Sequence, residues 1–300
     1  MTLRIIMPNN YEIHNEFVKV NGIRMHYVTM GNGSLIVLLH GFPEFWYSWR
    51  YQIPTLSKQF KVVAPDMRGY GETEKPVKID AYKIEKVVKD IVELIHGLGY
   101  EKATIAGHDW GGIIAWSIAM MAPHIVEKLI IMNAPHPAVY IKHMHKNIKQ
   151  ILRSWYVFFF LIKGVPELIL SSNNYKTLKT SLLKSSVRKE SFTEKDIESY
   201  VSSWKSGGIS GGINYYRANL NLRYWSNSNA VSFPKIKVPV LQIWAECDVF
   251  LGKELTKNTQ EFIDASYPLH LIPNCGHWLQ QEASDEVNGA MIKFLDDTLN

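Results

Sequence analysis

Ala106-Gly107-His108-Asp109-Trp110-Gly111-Gly112 is the stretch that decides the reading of this 300-residue chain. A strand-like run, 103–106, leads into it, and an apolar segment of helical character, 111–121, leads out. Glycines stand two positions before and two positions after Asp109. Small residues there permit a tight strand-to-helix turn that holds the central side chain out over the edge of a sheet as a nucleophile. Capping of the helix by Asp109 would explain the acid but not the glycines on both sides. Most turns of this kind carry serine, which acylates; a carboxylate instead displaces a leaving group at saturated carbon and keeps an alkyl ester. Amide and peptide hydrolysis are thereby disfavoured. The helix start at Trp110 points backbone N–H groups at Asp109, which favours its ionised form.

The segments around this turn define its setting. Asn21-Gly22 separates two strand-like runs, 17–20 and 25–30, and reads as a hairpin turn because both residues tolerate positive φ. The runs 35–39 and 62–64 break at His40-Gly41 and Pro65-Asp66. Apolar runs of this kind require a sheet covered on both faces. Within 82–98, Ile84, Val87, Val88, Ile91, Leu94, Ile95 and Leu98 follow a helical spacing. A further strand is expected at 128–132. This alternation predicts an α/β fold with a mostly parallel central sheet and helices on both faces. From residue 134 the rhythm changes to helical segments rich in aromatic residues, with a flexible stretch expected at 207–212. Strands resume at 238–244 and 269–272, followed by a helix at 284–294. The expected organisation is a core of residues 1–133 and 236–300 interrupted by a helical cap, 134–235. Such a cap lies over the carboxyl edge of the strands, where open α/β folds bind ligands.

Two later loops supply partners for Asp109. Trp244-Ala245-Glu246-Cys247-Asp248 and Asn274-Cys275-Gly276-His277-Trp278 each follow an expected strand, in the chain order nucleophile, acid, histidine. His277 is suited to act as general base toward water, with Asp248 or Glu246 orienting its ring. His40-Gly41-Phe42-Pro43-Glu44 closes the run 35–39. The N–H of Phe42, with that of Trp110, can receive a developing oxyanion; Pro43 has no N–H to give. His40 and His108 read as structural residues.

Composition bounds the alternatives. The length suits one large core with a smaller elaboration, and 46% apolar with 20% charged residues marks a compact globular chain rather than a disordered one. The net charge of +5 comes from scattered basic residues, densest at 142–153, without a recognition element, so no nucleic-acid partner is expected. Cys247 and Cys275 are too few for a disulfide scaffold and are expected as reduced, buried thiols in a cytoplasmic protein. The N-terminus lacks a secretory pattern, and no apolar stretch reaches the ~18 residues of a spanning helix. The run 155–162 is the nearest approach. It reads either as a cap helix packed on the core or as a greasy entrance open to weak peripheral membrane contact. His143-Met144-His145 lacks the further ligands of a metal site, and Gly69–Gly71 lacks the pattern of a phosphate loop, so neither metal nor cofactor is expected. Monomer and homodimer both remain open.

The chain resembles the epoxide hydrolases of the α/β-hydrolase superfamily over essentially its whole length. The resemblance is carried by His40-Gly41-Phe42-Pro43-Glu44, Trp46-Tyr47-Ser48-Trp49-Arg50, Asp66-Met67-Arg68-Gly69-Tyr70-Gly71 and Gly107-His108-Asp109-Trp110-Gly111-Gly112. It implies the α/β-hydrolase fold with a helical cap, and Asp248 rather than Glu246 as the acid. It also implies two cap tyrosines that hydrogen-bond the epoxide oxygen and donate a proton as the ring opens. Tyr216, in Gly211-Gly212-Ile213-Asn214-Tyr215-Tyr216-Arg217, matches the second, and Tyr156, ahead of Gly164-Val165, matches the first, with Tyr140 as the alternative. A phenol, with an ordinary pKa of about 10, keeps its proton at neutral pH yet protonates an alkoxide. The implied reaction converts a small apolar epoxide and water to a vicinal diol through an ester on Asp109. Foreign, fatty-acid and terpenoid epoxides, serving detoxification or lipid metabolism, are equally compatible. The rival is a dehalogenase using the same aspartate. Fluoroacetate-type dehalogenases carry arginine where this chain has Trp110 and Ile113, and haloalkane-type ones commonly carry asparagine where it has Glu44.

Overall fold

The computed structural model describes residues 3–6, 12–220 and 232–297. Asn21 and Gly22 adopt positive φ, 44° and 79°, and turn strand β2 (Glu12–Val20) back onto β3 (Ile23–Met30) as an antiparallel pair. A further strand, β1 (Leu3–Ile6), not expected from the sequence, extends this pair at the sheet edge. The remaining strands are β4 (Leu35–Leu39), β5 (Lys61–Pro65), β6 (Ala103–His108), β7 (Val126–Met132), β8 (Val240–Ala245) and β9 (Leu269–Ile272). They form one nine-stranded sheet in the order β1-β2-β3-β5-β4-β6-β7-β8-β9. Every pairing from β5 to β9 is parallel.

Both faces of the sheet are covered, which is why the central strands are apolar without alternation. Along β4, Val37 and Leu39 join one core cluster with Ile105, Ile114 and Leu129, while Ile36 and Leu38 join another with Ala106, Ile130 and Val287. Helices α2 (Ile84–Gly97) and α3 (Trp110–Met121) cover the first face. Helix α1 (Gln52–Leu56) and the C-terminal helix Ser284–Asp296 cover the second.

Among the described residues between β7 and β8 there is no strand. The chain instead runs through α4 (Pro137–Lys146), α5 (Ile148–Arg153), α6 (Trp155–Leu161), α7 (Val165–Ser185), α8 (Glu194–Gly207) and α9 (Ser210–Asn219). Helix α7 is broken at residues 172–175, where Asn173, Asn174 and Tyr175 take positive φ. Helix α8 begins with a capping box in which Thr193 and Asp196 satisfy each other's backbone N–H groups.

The expectation of flexibility at 207–212 is corrected. Gly207 ends α8 and Gly208 turns at a φ of 69°, but Gly211 and Gly212 are buried in the first turn of α9. A Cβ on Gly211 would collide with the backbone of Gly69, so this glycine serves close packing of α9 on the core. Tyr215 completes that contact by donating to the Arg68 carbonyl at 3.0 Å. Replacing Gly211→Ala should cost about 1–3 kcal/mol by overpacking. The expected reading is a lower urea midpoint at unchanged slope; an unchanged midpoint would mean that α9 shifts freely.

Candidate active site

The turn from β6 to α3 has the shape its glycines predict. Asp109 sits at φ 51°, ψ −121°, a conformation rare for a residue with a side chain. A Cβ on Gly111 would collide with the carbonyl oxygen of Leu39, so only glycine lets α3 start this close to β4. The Asp109 Oδ1 accepts the Phe42 N–H at 2.9 Å, and the Trp110 N–H also donates to this carboxylate. Both expected oxyanion donors therefore face Asp109.

His277 Nε2 lies 3.8 Å from Asp109 Oδ2, and its Nδ1 lies 2.7 Å from Asp248 Oδ2. The other oxygen of Asp248 accepts the N–H groups of Phe250 and Leu251 at 2.8 and 2.9 Å, which fixes the carboxylate against the ring. Glu246 instead pairs with Lys253 at 2.8 Å near the surface. The loop after β8 thus turns Asp248 inward and leaves Cys247 exposed, correcting the expectation that both cysteines are buried; Cys275 is buried.

A buried polar layer beneath the turn holds these loops in place. His108 Nε2 meets the His277 carbonyl at 2.8 Å, and Asn133 Nδ2 donates to the same oxygen at 3.0 Å. His108 Nδ1 meets Glu44 at 2.9 Å, and Glu44 Oε1 accepts from Gln280 and Gln281 at 3.0 and 2.8 Å. Burial alone would raise the Glu44 carboxyl, but the adjoining His108 holds it below its ordinary range. His40 is structural as expected: its Nε2 accepts the Met67 N–H at 3.0 Å. The sequence offered no sign of Gln280, Gln281 or Asn133 in this role, because a polar run after a histidine reads as surface.

Charge at the site is paired. Burial works against a charged His277, yet the Asp248 carboxylate, followed by Asp109, raises its pKa to about 9. Asp109 is itself raised above the ordinary carboxyl value by burial, a shift that His277 opposes. Asp248 and Asp109 thus favour the imidazolium form of His277, and His277 in turn opposes the rise at Asp109.

Two cavities meet at Asp109. The smaller, about 160 Å³, is lined by Trp110, Ile113, Tyr140 and Leu220 among others; the larger, about 360 Å³, by Phe42, Trp155, Leu178 and Trp278 among others. Asp109, Tyr156 and Tyr216 line both. The rings of Tyr156 and Tyr216 stand 6.1 Å apart and nearly perpendicular, and Tyr216 packs edge-on to Trp110 at 5.0 Å. Burial first, and then nearby groups including Asp109, hold both phenols well above their ordinary pKa, so both stay protonated. Tyr140 directs its hydroxyl to Ser154 at 3.3 Å. Both candidates for the first cap tyrosine line the smaller cavity with Tyr216 and Asp109, and of the two it is Tyr156 that also lines the larger one.

The family described as alpha/beta hydrolase fold matches residues 34–284. The human protein Epoxide hydrolase 4 is 39% identical over 285 residues, covering 93% of this chain and 77% of that protein. The AB hydrolase superfamily protein YfhM of Bacillus subtilis is 39% identical over 289 residues, covering 93% of this chain and 97% of that protein. Among solved structures, an epoxide hydrolase of Bacillus megaterium in complex with an inhibitor superposes with a TM-score of 0.89 at 32% identity, covering 94% of this chain and all of that one. Fold, site geometry and these likenesses agree, and the chain belongs to the epoxide hydrolase family of the α/β-hydrolase fold.

Proposed function

We propose that this chain opens a small apolar epoxide with water to give a vicinal diol through an alkyl ester on Asp109. Oδ2 of Asp109 attacks an epoxide carbon from the side opposite the breaking C–O bond, and the oxygen set free takes a proton from Tyr156 or Tyr216. The tyrosines face Asp109 across a cavity lined mostly by apolar side chains, where hydrogen bonds to a developing charge act strongly. Oδ1 then becomes the ester carbonyl, already held by the N–H of Phe42, with the N–H of Trp110 at the same carboxylate. His277, oriented by Asp248, takes a proton from water as that water adds to the carbonyl carbon. The bond from this carbon to Oδ2 breaks, Oδ2 takes the proton held by His277 and leaves in the diol, and the second proton of the water returns to the deprotonated tyrosine, so Asp109 ends as a carboxylate that keeps the oxygen from water.

The deciding observation is the shared lining of both cavities by one carboxylate and two phenols. A dehalogenase has no comparable support. Trp110 and Ile113 offer no cation to a substrate carboxylate, and Glu44 is held by His108, Gln280 and Gln281 beneath the turn. The helical segment acts as the cap, 134–235, between core segments 1–133 and 236–300; residues 221–231 lie outside the described residues. Because the chambers extend from the same carboxylate, an epoxide with an apolar substituent on each carbon fits the site, as lipid epoxides do. Among the described residues no single helix is long and apolar enough to cross a bilayer.

The test is a single turnover in heavy-oxygen water. The label is expected in Asp109, located by peptide mass spectrometry, and not in the first diol released. Label in that first diol would mean direct attack by water and would end the ester scheme.

A further inference from the structure

The positive charge of this protein is concentrated in its cap. Residues 137–185 hold seven lysines and one arginine against a single acid, Glu167, which is itself paired with Arg217. Outside this segment acids outnumber bases, although the whole chain carries +5. The same segment exposes large apolar side chains in close succession: Ile148 is 73% exposed, Leu152 67%, Trp155 64%, Ile162 51% and Leu168 72%. Solvated cap helices do not require such side chains, and apolar patches rimmed by charge mark interaction surfaces. Lys146, Lys149 and Lys163 are exposed beside them.

We propose that α5, α6 and the first half of α7 dock on the surface of an anionic phospholipid bilayer. Helices that carry apolar residues among lysines lie in the plane of the interface, held by buried apolar area and by attraction to anionic headgroups. Tryptophan favours that boundary, having an apolar ring and a polar N–H. Helices α6 and α7 meet at a bend of 107°, which suits contact along a surface rather than passage through it. A second copy of this chain is the poorer occupant, because two such faces would bring like charges together.

The position of the patch ties docking to the active site. Trp155 and Ile169 are exposed and also line the larger cavity, so the rim of that cavity lies within the docking face. An apolar substrate dissolved in the bilayer would then reach Asp109 without crossing water; this consequence rests on the epoxide reading, whereas the docking itself does not.

Vesicle flotation without any epoxide tests the docking alone. The protein is expected to float with vesicles of phosphatidylcholine containing phosphatidylserine, to float little with phosphatidylcholine alone, and to be released by about 1 M salt, where charges are screened beyond about 3 Å. The triple variant Lys146→Glu/Lys149→Glu/Lys163→Glu and the double variant Leu152→Ser/Leu168→Ser should each lower binding at least about tenfold. These side chains line neither cavity, so hydrolysis of a short water-soluble epoxide and the melting temperature should not change. A protein that stays with the soluble fraction at low salt, or variants that float as well as the parent, would overturn the proposal. So would a dimer in solution that the Leu152→Ser/Leu168→Ser change dissociates, since that assigns the face to a second copy.

Discussion

Asp109→Asn is expected to lower epoxide turnover by roughly 10⁴-fold or more, the scale on which a nucleophile acting with its partners fails when removed. The amide keeps the size of the carboxylate and can still accept from the Phe42 N–H, so the turn should hold its shape. What disappears is the anionic oxygen that attacks carbon. The substitution also removes one of the charges that sustain the His277 imidazolium at about 9. Taking away a negative neighbour makes the cation less favourable, so the His277 ring should titrate at a lower pH in the variant, measurable by NMR. Lost activity together with a lowered titration identifies Asp109 as a charged nucleophile. Activity that returns on storage must be accompanied by the mass change of amide-to-acid conversion. Turnover within tenfold of the parent without that change would mean that water opens the epoxide directly.

Residues with a local reason to be where they are were legible in the sequence. Gly107 and Gly111 mark the nucleophile turn because only small residues fit its tight approach, and Asn21-Gly22 marks a hairpin because both residues accept positive φ. Strand β9 matches its expected bounds because an apolar run ends abruptly at Pro273-Asn274. What escaped the sequence depends on long-range neighbours. Glu44 and Gln280 are 236 positions apart yet share a buried hydrogen bond, and neither residue type announces burial. Gly211 looks like part of a loose turn until the backbone of Gly69 is seen against it. The choice between Glu246 and Asp248 could not be made from spacing alone, since both follow the same strand; the partners Lys253 and His277 separate them. The run 155–162 is ambiguous because burial divides it: Val157 and Phe160 are buried, while Trp155 and Ile162 face solvent.

His277→Gln should divide the reaction at its middle. Alkylation of Asp109 requires only the carboxylate and the two phenols, so the first step is expected to survive within about tenfold, whereas loss of the general base should slow ester hydrolysis by ~10²-fold or more. Intact-protein mass spectrometry should then find one substrate mass bound per chain. If neither ester nor diol formed, His277 would be needed for the attack itself, for instance by holding Asp109 ionised. The parent enzyme should approach the same state through pH. In the resting protein His277 is a cation below about 9, sustained by Asp248 and Asp109. Alkylation turns Asp109 into a neutral ester, so one support of that cation disappears and the imidazole pKa falls. The ester therefore makes its own base available: the step that removes the carboxylate charge is the step that frees His277 to accept a proton from water. Lowering the pH protonates His277 again, and the ester should accumulate in the parent as pH falls, down to the point where Asp109, raised by burial, is itself protonated and alkylation stops. Between these limits rapid quenching should trap the ester in rising amounts, with a midpoint below 9; an ester level independent of pH would assign water activation to another group.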